Sequence, residues 1–130
     1  MIHDSLQILL IEDDATLAEI TAFRLELLGY EVVSVQSQDE AFAQLDAQLP
    51  DVILMDLALA GNDGLELLNR LSNEPRTSDV PVMVFSTNAD LDNVQRAYAA
   101  GADEYLVTPY DPANLEQKVE KLRALRRSEV

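Results

Sequence analysis

The chain has 130 residues, a formal charge of −15 and no cysteine, and 48% of its residues are apolar. That length suits one domain with one core, and the missing thiols exclude disulfides, thiolate metal sites and thiol catalysis. No run approaches the ~20 apolar residues of a membrane span, and residues 1–4 lack the charged and apolar regions of a secretory signal.

A cytoplasmic protein without a membrane partner is therefore expected. The charge is uneven: Lys118, Lys121, Arg123, Arg126 and Arg127 oppose Glu120 and Glu129, a local +3 that leaves −18 on residues 1–117. So acidic a body repels phosphate backbones, which argues against direct nucleic-acid binding. The basic end is read as favourable charge on the last turn of a helix.

In chain order, the first apolar run covers residues 6–11 and ends in Glu12-Asp13-Asp14. An amphipathic stretch follows, closed by Gly29 as a left-handed helix stop. Residues 31–35 form the second run, and Ser37-Gln38-Asp39-Glu40 is a capping box opening the next helix. The third run, 52–55, ends in Asp56. The fourth, 80–85, has Pro81 at its start, where a missing N–H does least harm, and ends in Ser86 and Thr87. Gly101 marks a second helix stop before the fifth run, 105–107. Thr108-Pro109 is a candidate cis bond, and Asp111-Pro112 reads as an N-cap with proline at the first helical position. Strand and helix alternate five times, which predicts a parallel sheet covered by helices on both faces, in a single domain over 1–130 with its core at about 5–127.

In such sheets ligands bind beyond the carboxyl ends of the strands, where the winding reverses. Asp13, Asp14 and Asp56 fall at that edge. A carboxylate beside an apolar core needs a partner, and a hard cation such as Mg²⁺ (or Mn²⁺) suits clustered carboxylates. The alternative for Asp13 or Asp14 is an N-cap on the helix starting near Ala15. Glu12 is expected to point away. Ser86 places a hydroxyl at the same edge.

Together these residues resemble the response-regulator receiver domain of two-component signalling, over nearly the whole chain. Glu12-Asp13-Asp14 is similar to the family's acidic pair, and Asp56 falls at its phospho-accepting aspartate. Asp63-Gly64 resembles the following turn, Pro81 to Ser86 the strand ending in the switch hydroxyl, and Gly101 to Leu106 the approach to the fifth strand, with Tyr105 as switch aromatic. The resemblance implies a doubly wound, flavodoxin-like (βα)5 fold with strand order 2-1-3-4-5. It implies Mg²⁺ held by Asp13, Asp14, Asp56 and the Ala58 backbone carbonyl. It also implies transfer of a phosphoryl group to Asp56 from a histidine kinase or phosphotransfer protein. Ser86 would then turn toward the phosphoryl group and Tyr105 rotate inward. That would reshape the face of the fourth helix, fifth strand and fifth helix for an unknown downstream protein or a homodimer.

One departure matters most. Thr108 stands where the family has a lysine before the proline, and a unit charge ~4 Å from a phosphoryl oxygen is worth about 4 kcal/mol at an effective dielectric of 20. No other cation is expected at the pocket, since Arg76 belongs to the loop at the opposite edge. Thr87 narrows access to the phosphoryl group, and Ala60 loosens the following turn. The alternative is therefore a receiver-fold interaction module that works without phosphorylation. A phosphatase-like hydrolase is disfavoured, because Ala58 stands where a second acid would be wanted and the only histidine, His3, lies at the terminus. The chain is expected to be a signalling phospho-acceptor rather than an enzyme.

Overall fold

Strand β1 (Gln7–Ile11) lies between β2 (Glu31–Val35) and β3 (Val52–Asp56), and β4 (Val82–Ser86) and β5 (Glu104–Val107) continue the sheet beyond β3. All pairings are parallel, in the order β2-β1-β3-β4-β5. The computed structural model describes residues 5–59 and 64–128, with the backbone alone for 126–128. His3, Ala60 and Asp63, and the side chains of Arg126 and Arg127, lie outside the described residues. No described helix is long and apolar enough to cross a membrane.

Both sheet faces are buried, so the central strands read as unbroken apolar runs rather than alternating ones. Leu9, Ile53, Met55, Val82 and Val84 point to one face, where Ala41 and Leu45 of α2 (Gln38–Ala47), Leu67, Leu68 and Leu71 of α3 (Gly64–Asn73) and Ala97 of α4 (Leu91–Ala100) cover them. Ile8, Leu10, Leu54, Met83 and Phe85 point to the other, under Ala18 and Leu25 of α1 (Ala15–Leu27) and Leu115, Val119 and Leu122 of α5 (Pro112–Ser128). The edge strand β2 buries little, and only Val35 is fully covered.

Local signals set the element ends. The Ser37 hydroxyl accepts from the Glu40 N–H at 3.1 Å, while the Glu40 carboxylate reaches back to the Gln36 N–H at 2.8 Å. The capping box thus closes one residue earlier than its standard form. β4 begins after Pro81, two residues later than the apolar run suggests. The Val82 N–H donates to the Asp103 carboxylate at 2.9 Å, and the Pro81 carbonyl accepts from Ile53. After β5, at the start of the last helix, the Asp111 carboxylate accepts from the Ala113 N–H at 2.9 Å.

The winding runs from β1 out to β2 and then back across to β3. This reversal opens a crevice between the carboxyl ends of β1, followed by Glu12-Asp13, and β3, closed by Asp56.

Gly101 ends α4 with φ of 122°, and a Cβ there would lie 2.5 Å from the Ser72 Cβ of α3. Ser72 also donates its hydroxyl to the Ala100 carbonyl at 2.9 Å, so it cannot simply turn away. Gly101→Ala is expected to destabilise the fold by about 2 kcal/mol through backbone strain and overpacking, measured as a lower urea midpoint with an unchanged m-value.

Candidate functional site

The Glu12 N–H donates to the Val35 carbonyl at 3.0 Å, so the extended backbone of β1 continues one residue past Ile11. That extension turns the Glu12 side chain into the crevice, where it is 5% exposed. Carboxylate oxygens of Glu12, Asp13 and Asp56 all lie within 4.8 Å of one another. Glu12 therefore does not point away, contrary to the expectation from sequence.

Asp14 is exposed, and its Oδ1 accepts from the N–H groups of Thr16 at 2.9 Å and Leu17 at 3.1 Å. It caps α1, satisfying donors that a helix start leaves unpaired. The expected acidic pair of Asp13 and Asp14 is thus corrected to Glu12 and Asp13.

Asp56 closes β3 half-buried, and its Oδ1 accepts from the Ala58 N–H at 2.9 Å. Its cross-strand neighbour is Phe85, whose carbonyl accepts from the Leu57 N–H at 2.9 Å. Ser86 ends β4 buried, with its Oγ accepting from the Asn88 N–H at 3.0 Å, and its carbonyl takes the Thr108 N–H at 2.9 Å. The Thr108–Pro109 bond is cis, as the sequence suggests. Glu12, Asp56, Ala58, Thr87, Thr108 and Pro109 all line one cleft of about 520 Å³.

Arg76 is bound at the far edge, to the Asp46 carboxylate at 3.2 Å and the Leu45 carbonyl at 2.7 Å, as expected. A second arginine, not singled out from the sequence, does reach the cleft. Arg24 of α1 lines it, its guanidinium 5.4 Å from the centre of the Tyr110 ring.

Tyr105 is 6% exposed on the α4 side of the sheet. Its hydroxyl donates to the Asn88 carbonyl at 2.7 Å and accepts from Asn93 Nδ2 at 2.6 Å. The aromatic expected to rotate inward on phosphorylation is already inward, and both polar capacities of its hydroxyl are met. Asn88 and Asn93 carry no signal in sequence that would assign them this role.

Burial, then the charge of and hydrogen bonding to Asp56 and hydrogen bonding to Asp13, push the Glu12 carboxyl up to about 7, against a lowering by the Asp14 N–H. Folded Glu12 holds its proton more tightly than the unfolded chain, whose ordinary value is 4.5. Its contribution to stability is complete below pH 4.5 and is lost as pH rises through 7, by up to about 3 kcal/mol. With a chelator present, Glu12→Gln should gain stability over the parent between pH 5 and pH 8. Urea unfolding at the two pH values checks this, and an equal difference at both would assign the titration elsewhere.

The sequence matches the response regulator receiver domain over residues 8–120. It is 34% identical over 120 residues to the phosphate regulon transcriptional regulatory protein PhoB of Pseudomonas aeruginosa, covering 92% of this chain and 51% of that protein. The chain thus spans about half the length of that curated relative. Among solved structures, it superposes on a CheY-like response regulator receiver domain protein from Methanospirillum hungatei with a TM-score of 0.88 and 26% identity, over 98% of this chain and 100% of the other. The receiver domain of sensor histidine kinase PA1611 from Pseudomonas aeruginosa, solved with a magnesium ion coordinated in its active-site cleft, gives a TM-score of 0.83 and 26% identity, over 93% of this chain and 99% of the other. The five-stranded sheet, its 2-1-3-4-5 order and the match along the sequence agree: the chain belongs to the response regulator receiver domains of two-component signalling.

Proposed function

We propose that the chain is a phospho-acceptor that receives a phosphoryl group on Asp56 in a Mg²⁺- or Mn²⁺-dependent reaction and passes the signal on by protein–protein contact. The observation that carries this reading is the convergence of Glu12, Asp13 and Asp56 within 4.8 Å at the crevice. The donor set fits a hard divalent cation, since all three offer oxygen ligands and a cation would offset both the burial of Glu12 and the charge of Asp56 that raise its pKa. Glu12, Asp13 and Asp56 would hold the ion, with the Ala58 carbonyl as a further ligand. When bound, it supplies charge neutralisation at the acids and at the oxygens of the transferring phosphoryl group.

The rest is the work of the chain. The Ala58 N–H fixes one oxygen of the Asp56 carboxylate. A carboxylate oxygen forms the new bond to phosphorus as the bond to the donor's nitrogen breaks, and that electron pair leaves with the donor. The histidine of a kinase or phosphotransfer protein is the donor this chemistry fits. Ser86 lies one strand away with a hydroxyl able to donate to the product, at the cost of releasing the Asn88 N–H. Receiver domains are signalling domains, and Asp56 here is a carrier, loaded and unloaded in each cycle, rather than a catalyst. The face of α4, β5 and α5 is the proposed output surface, toward a downstream protein or a second copy.

A second reading has specific support. It rests on Thr108 in place of lysine and on Tyr105, which Asn88 and Asn93 hold inward without a phosphoryl group. The chain would then act as an interaction module independent of phosphate.

One experiment separates the two. Incubation with Mg²⁺ and acetyl phosphate, followed by intact mass measurement, should add one phosphoryl group in the parent and none in Asp56→Asn. No gain under conditions that label an ordinary receiver domain leaves the second reading standing.

A further inference from the structure

The cleft that holds the acids continues away from them along α1. Its far wall is built from Leu17, Ile20 and Arg24 of α1 and from Tyr110, and Arg24 is the one basic residue among those lining it. Tyr110 is the second residue after Thr108. Its ring stacks on Phe85, centroids 6.1 Å apart, and Phe85 sits opposite Asp56 in the β3–β4 ladder. Two stacked rings thus run from the strand position opposite Asp56 to the Arg24 guanidinium.

Arg24 could simply be a cation favoured by the last turn of a helix. Three observations go further. Among the described residues, most side-chain cations are paired: Arg70 with Glu74, Arg76 with Asp46, Lys118 and Lys121 with Glu104, and Arg123 with Glu120. Arg24 has no such ion pair in a chain of charge −15, and rests on a neutral ring instead. Although Arg24 belongs to the last turn of α1, it lines the same cleft as Glu12 and Asp56. The lysine position it would serve is empty of charge, because Thr108 occupies it.

Building on the phospho-acceptor reading, we propose that Arg24 supplies the positive charge of this cleft in place of the lysine that Thr108 displaces. It draws anionic phosphodonors toward Asp56 and offsets the charge of the phosphorylated carboxylate. Its perch on Tyr110 keeps it from collapsing onto the acids while the cleft is empty of anion. Because it acts through space, its effect is screened by salt within a Debye length of about 8–10 Å.

The test uses the intact chain with Arg24→Gln, Arg24→Lys and the double change Arg24→Gln with Thr108→Lys. Labelling by acetyl phosphate should slow about three- to tenfold in Arg24→Gln at low salt, with the gap to the parent shrinking as salt is raised. Labelling by phosphoramidate, which carries less negative charge at neutral pH, should slow less. Arg24→Lys should retain most of the rate, and Thr108→Lys should restore it in the Arg24→Gln background. Calorimetry supplies a readout independent of transfer: removing a cation from the cleft should raise Mg²⁺ affinity about two- to fivefold. Equal labelling and equal Mg²⁺ affinity in parent and Arg24→Gln would overturn the proposal, as would a lowered melting temperature with both unchanged, which marks a packing role. If the parent itself takes no phosphoryl group, the phospho-acceptor reading fails, and unchanged Mg²⁺ affinity in Arg24→Gln would then sink the Arg24 proposal separately.

Discussion

Three carboxylates within 4.8 Å of one another, beside a core of buried Leu, Ile and Val, are the constraint around which this molecule is arranged. At such a separation each ionised pair repels by about 3 kcal/mol at an effective dielectric of ~20. The fold imposes that cost, because a 2-1-3-4-5 sheet puts the carboxyl ends of β1 and β3 side by side. Glu12 relieves it by keeping its proton and sharing it with its neighbours. A divalent cation would relieve it better. The same repulsion would favour a small hard cation in the pocket and, on the proposed function, would make an approaching phosphoryl group depend on it.

From this centre two consequences run outward along separate elements. Along β4 and β5, Ser86 is tied to Asn88 and to Thr108, and Tyr105 to Asn88 and Asn93. Asn88 therefore links the hydroxyl beside the acceptor with the aromatic beneath α4. Any movement of Ser86 toward a phosphoryl group must first release the Asn88 N–H, and that loosens the loop whose carbonyl holds Tyr105. Coupling between the site and the proposed output face would thus run through one backbone turn. Along α1, the cleft reaches Arg24, which brings positive charge to a pocket that lacks it at Thr108.

Much of this is legible in the sequence. The five strands stand out because both sheet faces are covered, and residues such as Val52 to Met55 have no polar position to interrupt them. Asp56 is legible for the opposite reason, as an acid directly after such a run. Other parts depend on tertiary detail. Whether Glu12 or Asp14 joins Asp13 turns on a single backbone bond to Val35, which extends β1 by one residue and reverses which side chains face the crevice. Asp14 does carry a readable signal, an aspartate immediately before a helix, and that weaker interpretation was the correct one. Arg24 lies ten residues beyond Asp14 along a helix, and nothing local reports that it lines the cleft. The inward setting of Tyr105 rests on two asparagines whose partners only the folded chain brings into reach.

The account stands or falls on whether Glu12, Asp13 and Asp56 form a cation site. Titrating isotopically labelled protein with trace Mn²⁺ and following amide line broadening by NMR measures this directly. Broadening confined to residues near Glu12, Asp13, Asp56 and Ala58, and abolished by excess Mg²⁺ and by Asp13→Asn, is the predicted result. Broadening centred instead on exposed acids elsewhere, such as Asp39 and Glu40 at the start of α2, or none at all, would contradict it.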